Sequence, residues 1–200
     1  MNNILIKRGK LEYAKDFSEL IFLSAPFFFP YLFGPKVKEL MENLFKQPKN
    51  FFSFEHSIFV EIDNKIAGMV LGYSFEQKME EELNTGILLA KYLKGNFLRK
   101  LPYLFKAERT LGKIKKEEYY LSNIAVYSEF RGLGLGSKLL EEIEQEARKL
   151  KCKRIVLDVE IENEKAIKLY KKLGYKIIER SPLFKSRDKS FQFFKMQKEL

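Results

Sequence analysis

Thiols and imidazoles are nearly missing from this chain: Cys152 is its single cysteine, His56 its single histidine, and tryptophan is absent. One cysteine excludes an internal disulfide and any multi-cysteine zinc site, and with a lone histidine no metal constellation is in view. Cys152 reads as a packing residue beside a helix end. Long apolar runs are also lacking. No stretch reaches the roughly 18 residues that would suggest a bilayer span, and "ILLAKYL" ends too early. The opening residues, "MNNILIKRGKLEYAKDF", put charge within a few positions of their one short apolar run, unlike a secretory signal. The expectation is a soluble, cytoplasmic protein with no membrane partner.

Acids are the scarcer charge, 27 against 37 Lys and Arg, for a formal net charge of +10. That excess favours acidic partners: nucleic acid, an anionic membrane face or a polyanionic cofactor such as a nucleotide. Apolar residues are plentiful at 46%, with 19 Phe, enough to argue against wholesale disorder. The length predicts one domain over residues 1–200, with an insertion or extended connection at about 76–116.

Residues 3–8 read as a strand and 11–24 as a helix. In "APFFFPYLFGP" three prolines and a glycine should break any regular element; its phenylalanines either line a ligand cleft or fill the core. A helix over 36–46 carries Val37, Leu40, Met41, Leu44 and Phe45 at helical spacing. "SIFVEIDNKIAGMVLGYSF" spells a hairpin, since Asp63 and Asn64 tolerate a tight turn. A helix over about 80–93 follows, then a basic segment, 91–116. That segment is either a specificity surface or a solvated helix face. It contains no recognised nucleic-acid motif, so nucleic acid is not an expected partner.

"EEYYLSNIAVY" (117–127) reads as a strand, and Leu139, Leu140, Ile143, Ala147 and Leu150 make one helical stripe. "RIVLDVEI" (154–161) is apolar on both faces, as in a strand with a parallel neighbour. A short helix follows, opened by Asn163 and closed by Gly174. Two strands end the chain. The unit strand, glycine loop, helix, strand is a right-handed crossover. With hairpins on either side, the fold class is α/β (α+β): a mixed, mostly antiparallel sheet of six to seven strands, a parallel central pair and helices on both faces.

Between that strand and helix lies "RGLGLGSKLL", with Gly132, Gly134 and Gly136 at alternate positions. A helix N-terminus presents unpaired N–H groups and the positive end of the peptide dipole, and removing side chains lets a phosphate reach them. The glycines would serve a tight turn equally well. A P-loop is excluded by the absence of Lys-Ser/Thr after the last glycine. The dinucleotide fingerprint matches at Gly132 and Gly134, with Ser137 in place of its third glycine and Asp158 as a ribose ligand. It fails because the motif starts several residues past the strand and too little chain follows Asp158.

"LSNIAVYSEFRGLGLGSKLL" resembles the acyl-CoA motif of the GCN5-related N-acetyltransferase (GNAT) family, Arg/Gln-x-x-Gly-x-Gly/Ala, through Arg131, Gly134 and Gly136. "LDVEIENEKAIKLYKKLGYK" resembles a second family segment through Asn163, Ala166, Leu169, Tyr170, Gly174 and Tyr175. The match covers residues 117–180. The first part of the chain fits by its order of elements alone, and 76–116 is longer than the family's usual connection.

The resemblance implies acetyl-CoA as cosubstrate and an amine acceptor. Backbone groups of Ile124, Ala125 and Val126 would meet the thioester end and the pantetheine arm. Arg131, Gly132, Leu133, Gly134, Leu135, Gly136 and Ser137 would bind the pyrophosphate. Asn163 would reach the pantetheine, or simply cap its helix. Tyr170 would protonate the departing thiolate, or else be a core tyrosine. A lysine-like amine of pKa about 10.4 costs about 4.6 kcal/mol to neutralise at neutral pH, so a base is needed. Asp158 is the first candidate, because some protein-acetylating members carry a carboxylate twelve residues before the tyrosine. Glu160, on the same sheet face, is the second, and Glu117 and Glu118 are further options. A backbone N–H near Val126 would hold the oxyanion. Direct transfer with both substrates bound is expected, with Cys152 badly placed as a nucleophile. A noncatalytic acyl-CoA sensor is the alternative. Dimerisation is common in the family, so a homodimer is open.

Overall fold

The computed structural model describes residues 3–185 and 190–200. In chain order they form β1 (Ile4–Arg8), α1 (Ala14–Ser24), α2 (Phe28–Phe33), α3 (Val37–Phe45), β2 (Ser57–Ile62) and β3 (Lys65–Ser74). Next come α4 (Phe75–Leu93), α5 (Asn96–Glu108), β4 (Glu118–Val126), α6 (Leu135–Lys149), β5 (Arg154–Glu160) and α7 (Glu164–Lys172). The chain ends with β6 (Lys176–Arg180), β7 (Phe184–Lys185), β8 (Ser190–Phe191) and β9 (Phe193–Glu199). Seven strands make one sheet in the order β1-β2-β3-β4-β5-β9-β6, while β7 and β8 pair separately. Among the described residues only β4 and β5 run parallel; every other pairing is antiparallel. No helix among the described residues is long and apolar enough to cross a membrane.

Two apolar cores sandwich the sheet. One is built from α1, α2, α3 and α4 with Phe184, Phe191 and Phe193. The other is built from α6 and α7 against the opposite face, including Leu139, Ile143, Ile167 and Tyr170. The β2–β3 turn forms as read, with Asp63 and Asn64 both left-handed at φ +47° and +64°, the backbone of a two-residue hairpin.

Three boundaries differ from the sequence reading. Residues 11–13 are a 3₁₀ turn, and the helix proper starts at Ala14. The proline-rich stretch does hold a helix, α2, because Pro30 sits in its first turn, where an N–H has no intrahelical acceptor. Helix α4 begins at Phe75 rather than about 80, opened by a capping box. There the Gln77 N–H donates to Ser74 Oγ at 3.2 Å, and the Ser74 N–H donates to Gln77 Oε1 at 2.8 Å. The basic segment folds as α5, which has no buried residue.

What positions the site is a divergence of strands. β4 and β5 pair only from Glu118 to Leu121 and from Arg154 to Leu157, although β4 runs on to Val126 and β5 to Glu160. Beyond Leu157, β5 stays with β9 (Asp158 opposite Lys195, Val159 opposite Phe194). β4 stays with β3, and its register slips there: Leu71 faces Asn123 but Gly72 faces Leu121, leaving Ser122 as the extra residue of a bulge. A bulge bends its strand and increases twist. The sheet therefore opens between β4 and β5 at their C-terminal ends.

Candidate active site

The gap turns strand ladders into free backbone groups. Tyr127 N–H donates to Ala67 O at 2.9 Å, and bonding alternates along an antiparallel pair. Ala125, opposite Met69, therefore spends its N–H and C=O on β3. Ile124 and Val126 point theirs the other way, toward the gap. Of the three residues expected to offer backbone groups, Ile124 and Val126 thus face the gap and Ala125 faces β3. The Val126 carbonyl already accepts from Arg131 Nε at 3.2 Å, which leaves its N–H.

Past Arg131 the loop is exposed and its donors are idle. Among the described residues no partner is recorded for any amide from Gly132 through Ser137; the first helical bond is Lys138 N–H to Gly134 O at 3.2 Å. Gly132 and Gly134 are left-handed, at φ +85° and +75°, with nothing within 4 Å of where a Cβ would stand. Gly136 has an ordinary φ but would bring a Cβ within 3.3 Å of Leu169 on α7. Two glycines thus satisfy the turn and keep space above the amides, while at the third a Cβ would meet only the end of the Leu169 side chain. Leu133 is half exposed, whereas the Leu135 side chain is buried in the core, so Leu135 can offer only its backbone. The segment fits a diphosphate: consecutive free donors at a helix N-terminus, an adjacent guanidinium, and no Cβ in the way.

On the other face of the gap lies a cleft of about 1030 Å³. Ile124, Asp158, Asn163 and Tyr170 line it near the strands, and α2, α4 and α5 supply its apolar walls. Asn163 does cap α7, its Oδ1 accepting from Ala166 N–H at 3.2 Å; this engages the carbonyl oxygen and leaves the amide NH₂ as a donor. Tyr170 is buried, its hydroxyl has no hydrogen-bond partner recorded among the described residues, and burial alone raises its pKa well above the ordinary phenol value. It is an acid held protonated.

Asp158 is fastened through one oxygen. The Gly112 N–H donates to its Oδ2 at 2.8 Å and the Tyr120 hydroxyl to the same atom at 3.0 Å, which turns Oδ1 away from both donors. Burial raises its pKa above the usual carboxylate range, against the lowering effects of Gly112, Tyr120 and Lys195. Tyr120 and Gly112 were not singled out from sequence. The signal for Tyr120 is the parallel register, which sets it opposite Val156, two residues before Asp158; Gly112 comes from a loop no local pattern ties to β5.

Glu160 also lines the cleft. Glu117 and Glu118 do not: they stand at the other end of β4, Glu117 paired with Lys153 at 2.8 Å and Glu118 accepting from Lys115 N–H at 2.8 Å. Cys152 is buried, its thiol pushed up to about 11 chiefly by that burial, at the α6–β5 junction away from the gap.

A parallel strand pair parted beside a buried phenol, with a loop of unpaired amides leading into α6, defines an α/β protein suited to an elongated anionic ligand. A family model described as the acetyltransferase (GNAT) family matches residues 19–175, and the chain belongs to that family. A stretch of 60 residues is 37% identical to an uncharacterized N-acetyltransferase, YdgE, of Bacillus subtilis (strain 168), covering 30% of this chain and 38% of that relative's length. Among solved structures, an N-acetyltransferase from Staphylococcus aureus Mu50 superposes with a TM-score of 0.73 at 23% identity, over 96% of this chain and 99% of that one. The PaiA N-acetyltransferase of Thermoplasma acidophilum, in complex with coenzyme A, does so at 0.56 and 14% identity, over 99% of both chains. At such identities the likeness is one of fold.

Proposed function

We propose that the chain acetylates a primary amine, using acetyl-CoA, by direct transfer with both substrates bound. The observation that carries this is the opening between β4 and β5. It lies between the unpaired amides of residues 132–137 and the cleft that Asp158 and Tyr170 line. Acetyl-CoA supplies the acetyl group as an activated thioester. The Gly132–Ser137 amides and Arg131 hold its diphosphate, and Ile124, Val126 and the Asn163 NH₂ engage the pantetheine arm.

The remaining chemistry is proton handling. The acceptor arrives as an ammonium and must lose a proton before its nitrogen can form the new C–N bond. Asp158, with Oδ2 occupied and Oδ1 free of those donors, takes that proton, and its raised pKa brings it closer to the amine's. Val126 N–H donates to the oxygen that becomes anionic as nitrogen adds. When the C–S bond breaks, Tyr170 gives its proton to the sulfur and recovers one from the new C–N centre. The products are an amide, a free thiol and one proton, held by Asp158 until released to solvent.

The test is thiol release from acetyl-CoA with a panel of amines, compared between wild type and Tyr170→Phe. Turnover that falls in the variant supports the reading. Tight acetyl-CoA binding without turnover on any amine refutes transfer, and a stable acetyl group left on the protein by acetyl-CoA alone refutes the direct route.

A further inference from the structure

The walls of the cleft say more than its floor. Helix α2 meets β7, β8 and β9 through packed rings: the Phe28 ring lies 5.7 Å from that of Phe184, 5.3 Å from Phe191 and 4.8 Å from Phe193. Helix α5 is tied down over α2 by Lys100 Nζ donating to Tyr31 O at 2.8 Å and by Tyr31 against Tyr103 at 5.1 Å. These contacts pack α2 against the last strands and α5 against α2. Beside them is the half-open cleft of about 1030 Å³, close to the upper limit of the 300–1,000 Å³ common for small-molecule sites.

Its lining is sorted by polarity. Tyr120, Ser122, Asn123 and Asp158 ring the strand gap. Beyond them the walls are aliphatic and aromatic, and several face the cleft while exposed: Leu83 (77%), Ile87 (57%) and Phe105 (57%). Leu83 and Ile87 are one turn apart on α4, an apolar stripe that leaves unburied area for a ligand to cover. Charge is sorted as well. In a protein of net +10, the charged lining residues are Lys78, Glu82, Glu108, Asp158, Glu160 and Glu162. At the α4–α5 end Glu82 and Glu108 lie near Lys78 and Arg109, and at the strand end Asp158 has Lys195 opposite it on β9 and stands as the carboxylate within the polar ring.

Resting on the transferase reading above, we infer that the acceptor is a small primary amine carried on an apolar body, its cationic nitrogen directed to Asp158 and its hydrocarbon held by α2, α4 and α5. A polycation would have to lay its further charges along apolar wall, which is costly. A long acyl chain entering through the gap would have to cross the polar ring to reach the same wall.

The test is steady-state thiol release from saturating acetyl-CoA by the full chain. The probes are ethylamine, butylamine, hexylamine, 2-phenylethylamine, spermidine and a tetrapeptide beginning with Phe. The expected result is a kcat/KM that climbs roughly fourfold per added methylene, with 2-phenylethylamine at least level with hexylamine. In Ile87→Glu and Phe105→Asp, both at exposed positions that do not threaten folding, the preference for hexylamine over ethylamine drops by about tenfold or more. Acetyl-CoA affinity by calorimetry stays at the wild-type value. A flat amine series, a preference for spermidine or the peptide, or faster turnover of hexanoyl-CoA than of acetyl-CoA overturns this inference and leaves the transferase reading standing. Failure to bind acetyl-CoA overturns both.

Discussion

Replacing Asp158 with Asn pulls activity and stability in opposite directions. An amide in its place keeps one oxygen for Gly112 N–H and the Tyr120 hydroxyl, now 2.8 and 3.0 Å from Oδ2, and presents an NH₂ where Oδ1 would have taken the amine's proton. Loss of a positioned base lowers kcat/KM by about 10²–10⁴, equivalent to about 2.7–5.4 kcal/mol of barrier. Folding responds with the other sign. The two donors lose charge assistance, on the order of 1 kcal/mol each, yet burial outweighs them, because the Asp158 pKa is raised overall. A carboxyl whose folded-state pKa exceeds its unfolded one contributes fully to stability below the unfolded value, about 3.9, and loses that contribution as pH rises through the folded pKa. At neutral pH the ionised form opposes folding, so the Asn variant melts at the wild-type temperature or above it. Thiol release followed from mildly acid to alkaline pH, beside thermal unfolding at neutral pH, reads both effects. Wild type shows an acid limb in kcat/KM lying above the ordinary carboxylate range, and the variant lacks it. A variant that keeps activity within about threefold, or that melts several degrees early while losing activity in step, would refute the assignment of Asp158 as base.

Tyr170→Phe removes a hydroxyl with no recorded partner among the described residues, so kcat falls about 10²-fold while thermal unfolding shifts by less than about 0.5 kcal/mol. Gly134→Ala meets no atom within 4 Å but inherits φ +75°; calorimetry should show a loss of about 1 kcal/mol, or roughly 2–4 °C in Tm. Gly136→Ala is the contrast, since its neighbour is the end of the Leu169 side chain at 3.3 Å and Ala favours helix, so Tm holds or rises. Arg131→Gln, at an exposed position, weakens acetyl-CoA binding about three- to tenfold at low salt, with the gap closing as salt is added, as titration calorimetry would show.

Much of the architecture is written locally. The hairpin at Asp63-Asn64, the glycine loop opening α6, the parallel crossover and the Asn163 to Gly174 helix each follow from a few neighbouring residues, because turn conformation, capping and periodicity act over one or two turns of chain. Tyr170 and Asp158 were found in sequence by family resemblance, and their spacing could not show that the two line one cleft. Helix α2 was hidden by its prolines, since position within the first turn decides whether Pro30 breaks it.

Residue order alone settled most strands, loops and helices, though not α2, and marked the glycine loop that opens α6. Folding in three dimensions decided the rest. The Ser122 bulge and the capture of β5 by β9 open the sheet, Gly112 and Tyr120 turn one Asp158 oxygen outward, and α2, α4 and α5 wall a half-open apolar cleft. Each of these joins residues tens of positions apart, and only strand register and helix packing, which are properties of the assembled layers, bring such residues together.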